Sequence, residues 1–274
     1  TYPDWLLLKK GDTWYSEAIA EVPFGYSGRS ESERTIVASY GQGERPRLVN
    51  GFFRGDRINN IAFVDIKFDV YDPNTWAPNT MTLGNGANYL IEGCYFARGG
   101  INIQNKVTNV KIRNSMLVDS ISFLDGGVKV GGMGAFLHDI TGLLMENNVV
   151  DYNGWRDPDI PRSVFTHNIY SQYTNRDVTS RNNIFARGSG ENEMQRSGGD
   201  MINNLYLRGP FGLSYSDDKN LDPSGLIKDN VVLDGDDLWP TNGGRGFGIE
   251  LKYVNDVEVS GNIIAHNVRG SWGF

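Results

Sequence analysis

A short polar-then-apolar unit recurs along this chain. It reads Arg113-Asn114-Ser115-Met116-Leu117-Val118, then Asn147-Asn148-Val149-Val150-Asp151-Tyr152 and Asn182-Asn183-Ile184-Phe185-Ala186. It continues as Asn203-Asn204-Leu205-Tyr206-Leu207, Asp229-Asn230-Val231-Val232-Leu233 and Gly261-Asn262-Ile263-Ile264-Ala265, and Glu92-Gly93-Cys94-Tyr95-Phe96 and Val64-Asp65-Ile66-Lys67-Phe68 fill the same slot upstream. Counted along Asp65, Gly93, Asn114, Asn148, Asn183, Asn204, Asn230 and Asn262, the steps are 28, 21, 34, 35, 21, 26 and 32 residues. A short alternating run precedes each unit, as in Asn109-Val110-Lys111-Ile112-Arg113 and Asp256-Val257-Glu258-Val259-Ser260. Alternation at period two is the mark of a half-buried strand. Strand, Asn turn, strand, loop, strand describes one coil of a parallel solenoid, and variable steps fit a coil whose loops leave at the corners without disturbing the stack.

The pattern therefore predicts an all-β chain: a right-handed, single-stranded parallel β-helix of about 8–10 rungs with loop insertions. It reads as one domain, 1–274, with an N-terminal cap and first rungs over 1–50 and regular rungs carrying an Asn turn ladder over 51–274. A regular leucine-rich solenoid or a propeller would give evenly spaced repeats, which these are not. Stacked Asn side chains at one turn can hydrogen-bond along the stack, so the turn Asn residues are read as structural.

Composition agrees with frequent turning. The chain has 34 Gly and 27 Asn in 274 residues, and both types tolerate left-handed backbone. Net charge is −7, which argues against a dedicated nucleic-acid binder. Cys94 is the only cysteine, so no intrachain disulfide forms, and no apolar run approaches the 18 or so residues of a membrane span. The chain begins at Thr1 without Met or a signal peptide, which reads as a processed or trimmed N-terminus.

A third strand per rung is predicted at Ile101–Asn105, Gly127–Gly131, Asn168–Gln172, Glu193–Ser197, Gly212–Ser216 and Gly248–Lys252. Aligning Ile103, Val128, Ile169, Met194, Leu213 and Ile249 as inward residues stacks Gln104, Lys129, Tyr170, Gln195, Ser214 and Glu250 outward. Asn102, Asn168, Glu193 and Gln172 extend that face, which is rich in the amide, phenol and hydroxyl groups that bind sugars. Three long insertions, near 119–126, 151–166 and 234–246, fall at a similar place in their rungs and would wall a groove along it. Trp155 and Arg162 lie in the second, Trp239 in the third. No clear apolar outward stripe is legible on another face.

Leu6 to Trp14, Thr35 to Arg47 and the stretch from His167-Asn168-Ile169-Tyr170 through Gln195-Arg196-Ser197 to Asn203-Asn204-Leu205 resemble the pectate-lyase-like superfamily of right-handed parallel β-helix proteins. The resemblance runs over nearly the whole chain. It implies a bacterial, secreted or periplasmic protein that acts on a polysaccharide, and no catalytic residue is carried over from it. The first reaction it suggests is β-elimination on a uronate polymer, which needs a base for the proton α to a carboxylate, a cation for that carboxylate and an acid for the leaving oxygen. Lys129, His167, Tyr170 and Arg196 are the candidate catalytic residues, with Tyr170 or His167 as acid or base and Lys129 and Arg196 facing the carboxylate. Gln104, Trp155, Arg162, Asn168, Gln172, Glu193, Gln195, Trp239 and Glu250 are the candidate substrate-binding residues. His167 shares parity with Ile169, so an inward, bonded imidazole is the competing reading. His138 and His266 read as structural.

The second reading is a glycoside hydrolase, with Glu193, Asp217, Asp200 and Asp125 as candidate carboxylates. The third is a non-catalytic glycan binder or tailspike segment. No cofactor is required and no metal site is assigned. Asp234-Gly235-Asp236-Asp237 could hold Ca²⁺ through oxygen ligands, but a solvated acidic turn explains it as well. A monomer is expected, or a trimer if the chain is tailspike-like.

Overall fold

The computed structural model describes residues 4–23, 27–70, 79–124, 128–216, 223–236 and 246–266, without the side chains of 18–23, 79, 122–124, 128–131 and 216. Among the described residues there is no helix, and hence none long and apolar enough to cross a membrane. The strands form three parallel sheets of ten, ten and nine strands plus one small antiparallel hairpin. Each turn of the chain contributes one strand to each sheet. Val107–Arg113 enters the first, Met116–Val118 the second, Ala135–Leu137 the third, and Ile140–Glu146 returns to the first beside Val107–Arg113. This is a right-handed parallel β-helix, as the repeat predicts. One apolar cluster fills the coil from Leu8 to Ile249.

The predicted turn unit forms the corner between the first and second sheets. Its first residue, from Asp65 through Asn114, Asn147, Asn182 and Asn203 to Gly261, lies in left-handed backbone with φ of 52° to 67°, where Asn, Asp and Gly are least strained. The next residue turns inward and reads Ile66, Cys94, Ser115, Asn148, Asn183, Asn204, Asn230 and Asn262. From Ser115 downward each backbone N–H donates to the Oδ1 of the Asn one rung on, at 2.9–3.0 Å. Each Asn Nδ2 from Asn148 onward donates to the main-chain carbonyl of Ile112, Met145, Ser180, Met201 or Ile227 in turn, at 2.8–3.0 Å. A buried corner must satisfy its backbone, and this ladder does so.

The sequence pattern misassigns the third sheet at three rungs, one of them only by a two-residue shift, since Ile101 rather than Ile103 stands level with Ile169. Gly127–Gly131 is not a rung strand: Val128–Gly131 pairs antiparallel with Ile121–Leu124. The rung strand is Ala135–Leu137, which pairs with Ile101–Ile103 on one side and Ile169–Ser171 on the other. The short run Ala-Phe-Leu carries too little alternation to be chosen over Val-Lys-Val. The second error is a register slip of one residue. Ile169 pairs with Glu193, and Glu193 with Leu213, so Glu193 and Gln195 face inward and Met194 faces out.

The slip has a chemical cause. Apolar residues are not the only ones inside this coil. Glu193 is fully buried and accepts from Tyr206 Oη at 2.5 Å and Gln195 Nε2 at 3.0 Å. Placing the apolar residue inward is the usual rule, and here a satisfied internal polar cluster overrides it. Burial nonetheless holds the Glu193 carboxyl above its ordinary range, against the lowering effect of its donors. A carboxyl with a raised folded-state pKa keeps its proton longer in the native state, so stability falls as pH rises from the ordinary Glu value toward the folded one. Glu31 acts in the opposite sense, because the Lys111 ammonium holds it down to about 2, and the stability it adds is lost only in acid. Glu193→Gln should therefore gain on the wild type as pH rises above the ordinary Glu range in denaturant unfolding. A difference independent of pH would contradict the buried-carboxyl assignment.

The outward faces of the three sheets differ. The first carries charge pairs between adjacent rungs, Arg113–Glu92 at 2.8 Å and Arg181–Glu146 at 2.7 Å. The second does show the apolar stripe that the sequence pattern did not reveal: Met116, Val149, Ile184, Leu205, Val231 and Ile263 stand in register on six successive rungs. It escapes notice because each strand in that sheet supplies only three residues, too few for alternation to show. The third sheet carries the polar face.

Candidate functional site

Two outward rows run along the third sheet. Strand pairing stacks Arg54, Thr82, Asn102, Phe136, Tyr170, Met194, Ser214 and Glu250 in the first. The second row lies two residues on, at the strand ends, and includes Gln104, His138, Gln172 and Arg196. There the backbone N–H groups of His138, Gln172 and Arg196 each donate at 2.9 Å to the rung above, at Ile103, Leu137 and Ser171. Rungs are about 4.8 Å apart, so a single sugar ring spans one to two of them.

All three long insertions leave the coil at one corner, between a second-sheet strand and a third-sheet strand. They follow Met116–Val118, Val149–Asp151 and Val231–Leu233 and precede Ala135–Leu137, Ile169–Ser171 and Phe247–Lys252. Each therefore joins the third sheet at the edge where its strands begin, while residues 125–127 and 237–245 of the first and third insertions lie outside the described set. Rungs without an insertion turn this corner through Arg187–Gly190 and Arg208–Pro210. The wall is tied across those rungs by Arg162, whose Nη2 lies 2.8 Å from Asp236 Oδ2.

Tyr170 lies at the centre of the face, partly exposed. Its Oη accepts from Arg196 Nη1 at 3.0 Å, and the guanidinium also lies 5.8 Å from the Tyr170 ring centroid. Phe136 packs edge-on against Tyr170 with centroids 5.7 Å apart, and His138 lies 6.2 Å from Phe136 at an interplanar angle of 29°. Three rings on two adjacent rungs thus form an aromatic platform next to a guanidinium. Phe136 and His138 escape the sequence reading because their rung strand was assigned to the hairpin. His138 is not structural in the sense expected: it projects from the groove face.

The other candidates divide. Gln104, Gln172 and Glu250 face outward on the third sheet as predicted, and Glu250 Oε2 accepts from Ser214 Oγ at 2.6 Å. Glu193 and Gln195 are inside the coil, as described. Asn168 is also inside: it is fully buried and belongs to a second, unforeseen ladder at the corner where the loops leave. Asn153 Nδ2 donates to Asn168 Oδ1 at 2.8 Å, and Asn168 Nδ2 to Asn192 Oδ1 at 3.0 Å. Its place one residue before the strand turns it away from the parity that strand alternation assigns. His167 is 3% exposed, and its Nδ1 lies against Glu191 Oε2 in a buried contact. Its ring centroid lies 4.9 Å from that of Tyr170, so it backs the tyrosine from beneath the groove surface.

Trp155 and Arg162 serve the wall. Trp155 Nε1 donates to the Arg187 carbonyl at 2.7 Å, and the Arg162 guanidinium lies 4.0 Å from the Trp155 ring centroid. Burial pushes the Arg162 guanidinium below its ordinary pKa, against the pull of Asp236. Lys129 belongs to the hairpin in the first long insertion, opposite Phe123, and its side chain is outside the described set. Trp239, Asp125, Asp217 and Asp237 also lie outside the described residues. Asp200 is exposed on the first sheet, away from the groove. Among the described residues no group of three or more His, Cys, Asp or Glu could hold a metal ion.

The arrangement offers what an extended sugar polymer requires: stacking surface, amide and hydroxyl partners, and a cation beside a proton-bearing phenol. Comparison with protein-family models, curated proteins and solved structures finds no match.

Proposed function

We propose that this protein is a secreted or periplasmic polysaccharide lyase of the pectate-lyase-like kind, which cleaves a uronate-containing polymer by β-elimination in the groove on its third sheet. The observation that carries the reading is the Arg196–Tyr170 hydrogen bond of 3.0 Å beside an aromatic platform. The phenol oxygen accepts from the guanidinium, which leaves its own hydrogen free for another acceptor. Arg196 binds the substrate carboxylate and so stabilises the charge that builds there as the α-proton leaves. Tyr170 gives its hydrogen to the departing glycosidic oxygen, and the guanidinium steadies the phenolate that remains. Phe136 stacks on a sugar face, while Gln104 and Gln172 bind hydroxyls.

Hydrolysis has less support. It needs two carboxylates across one bond, about 5 Å apart for retention or wider for inversion. Of its described candidates, Glu193 is inside the coil and Asp200 is on another sheet. A non-catalytic, trimeric tailspike-type role has one observation in its favour, the apolar outward stripe on the second sheet.

Incubation with alginate, pectate and glycosaminoglycans, with and without added Ca²⁺, separates the three. The lyase reading expects ultraviolet absorbance from an unsaturated uronate at the new non-reducing end. New reducing ends without that absorbance would mean hydrolysis, and retention of polymer without either product would mean a binding protein.

A further inference from the structure

Elimination also needs a base, and the imidazole singled out by the sequence, His167, is buried and held by Glu191. We infer that His138 is the catalytic base of the groove, an assignment that rests on the lyase reading above.

Three observations carry it. His138 stands in the second outward row, partly exposed, between Gln104 and Gln172 and one rung above Tyr170. Its ring nitrogens have no hydrogen-bond partner among the described residues. The other two histidines are engaged, His167 with Glu191 and His266 through Nδ1, which accepts from the Gly235 N–H at 3.1 Å. The nearest carboxylate in sequence, Asp139, is occupied by the backbone, its Oδ2 accepting from the Lys106 N–H at 2.9 Å. A free, accessible imidazole is the side chain best matched to taking a proton near neutral pH.

The spacing suits the reaction. Arg196 reaches back one rung to Tyr170, which brings its guanidinium toward the level of Tyr170, and diagonal neighbours on adjacent strands are about 7–8 Å apart at Cα. A uronate ring lying there places its carboxylate on Arg196 and its α-carbon toward His138. The imidazole takes the α-proton, the C–H electron pair becomes the ring double bond, the bond to the glycosidic oxygen breaks, and that oxygen takes the Tyr170 proton. Transfer of the proton from imidazolium to phenolate, directly or through water, restores both groups with no other reactant consumed.

The test uses whichever polymer yields an unsaturated product with the wild type. His138→Gln should lower kcat by about 10²–10⁴-fold with KM changed only a few-fold, and added imidazole should restore part of the activity of His138→Ala. Independently of any variant, diethyl pyrocarbonate should inactivate the wild type as one histidine is modified, and saturating oligosaccharide should protect it. A wild type that forms unsaturated product while His138→Gln keeps kcat within about threefold would overturn the assignment of His138 and leave the lyase reading standing. A wild type that forms no such product from any uronate polymer overturns the lyase reading itself, and the role of His138 with it.

Discussion

Tyr170→Phe should lower turnover by about 10²–10⁴-fold while leaving polymer binding nearly intact. The change removes one oxygen. That oxygen carries the hydrogen meant for the leaving group and accepts from Arg196. The ring stays, with its contacts to Phe136 and His167, so stacking on sugar and local packing survive. The guanidinium also stays and can still hold a carboxylate. The expected signature is a fall in kcat with little change in KM, read from steady-state rates. Equal loss of binding and turnover would show that Tyr170 serves affinity rather than proton transfer.

The second large effect concerns the fold. Asn183→Leu should destabilise the protein by about 2–4 kcal/mol, read as a shift of the denaturant midpoint at constant slope. Asn183 is 1% exposed and sits in the middle of the inner ladder. Its Oδ1 accepts from the backbone N–H and from Nδ2 of Asn148, at 2.9 and 3.0 Å, and its Nδ2 donates to the Met145 carbonyl and Asn204 Oδ1, both at 3.0 Å. Leucine fills a similar volume but leaves the Asn148 N–H and the Met145 carbonyl without these partners, and a buried polar group left unpaired costs about 1–3 kcal/mol. The adjacent Asn182 is the contrast. It is exposed, with φ of +56°, so Asn182→Gly keeps the backbone conformation easily and should cost only a few tenths of a kcal/mol. Similar losses at the two positions would show that the ladder contributes little beyond turn geometry.

This division between neighbouring Asn residues explains how much of the fold was legible. The turn needs a left-handed residue followed by an inward amide, which few residue types satisfy, so the Asn pairs mark that corner directly. The second ladder through Asn153, Asn168 and Asn192 hides, because Asn153 and Asn168 flank the two ends of one long insertion while Asn192 follows a corner without one, so its members share no spacing. The third sheet is legible where alternation is clean, as around Ile101–Gln104 and Gly212–Tyr215. It fails where the interior becomes polar. Nothing local distinguishes Glu193 inward from Met194 inward; the decision lies with Tyr206, thirteen residues away in the chain and bonded across the core.

The site was legible in the same uneven way. Tyr170 was named from parity, and Arg196 from its place on a neighbouring rung although it shared parity with Met194, which was aligned inward; the structure brings the two into contact because that register was one residue off. His138, at a strand end, and Phe136, in a strand of three residues, carry signals too short for alternation to expose. His167 illustrates the converse: its residue type suggested chemistry, and its parity with Ile169 correctly indicated burial.

The most direct test of the groove itself is a crystal structure of Tyr170→Phe with a bound uronate oligosaccharide. The sugar chain should run along the third sheet, with one ring against Phe136, its carboxylate on Arg196 and its α-carbon toward His138. An oligosaccharide bound on another face, or one in the groove with its carboxylate turned away from Arg196, would contradict this.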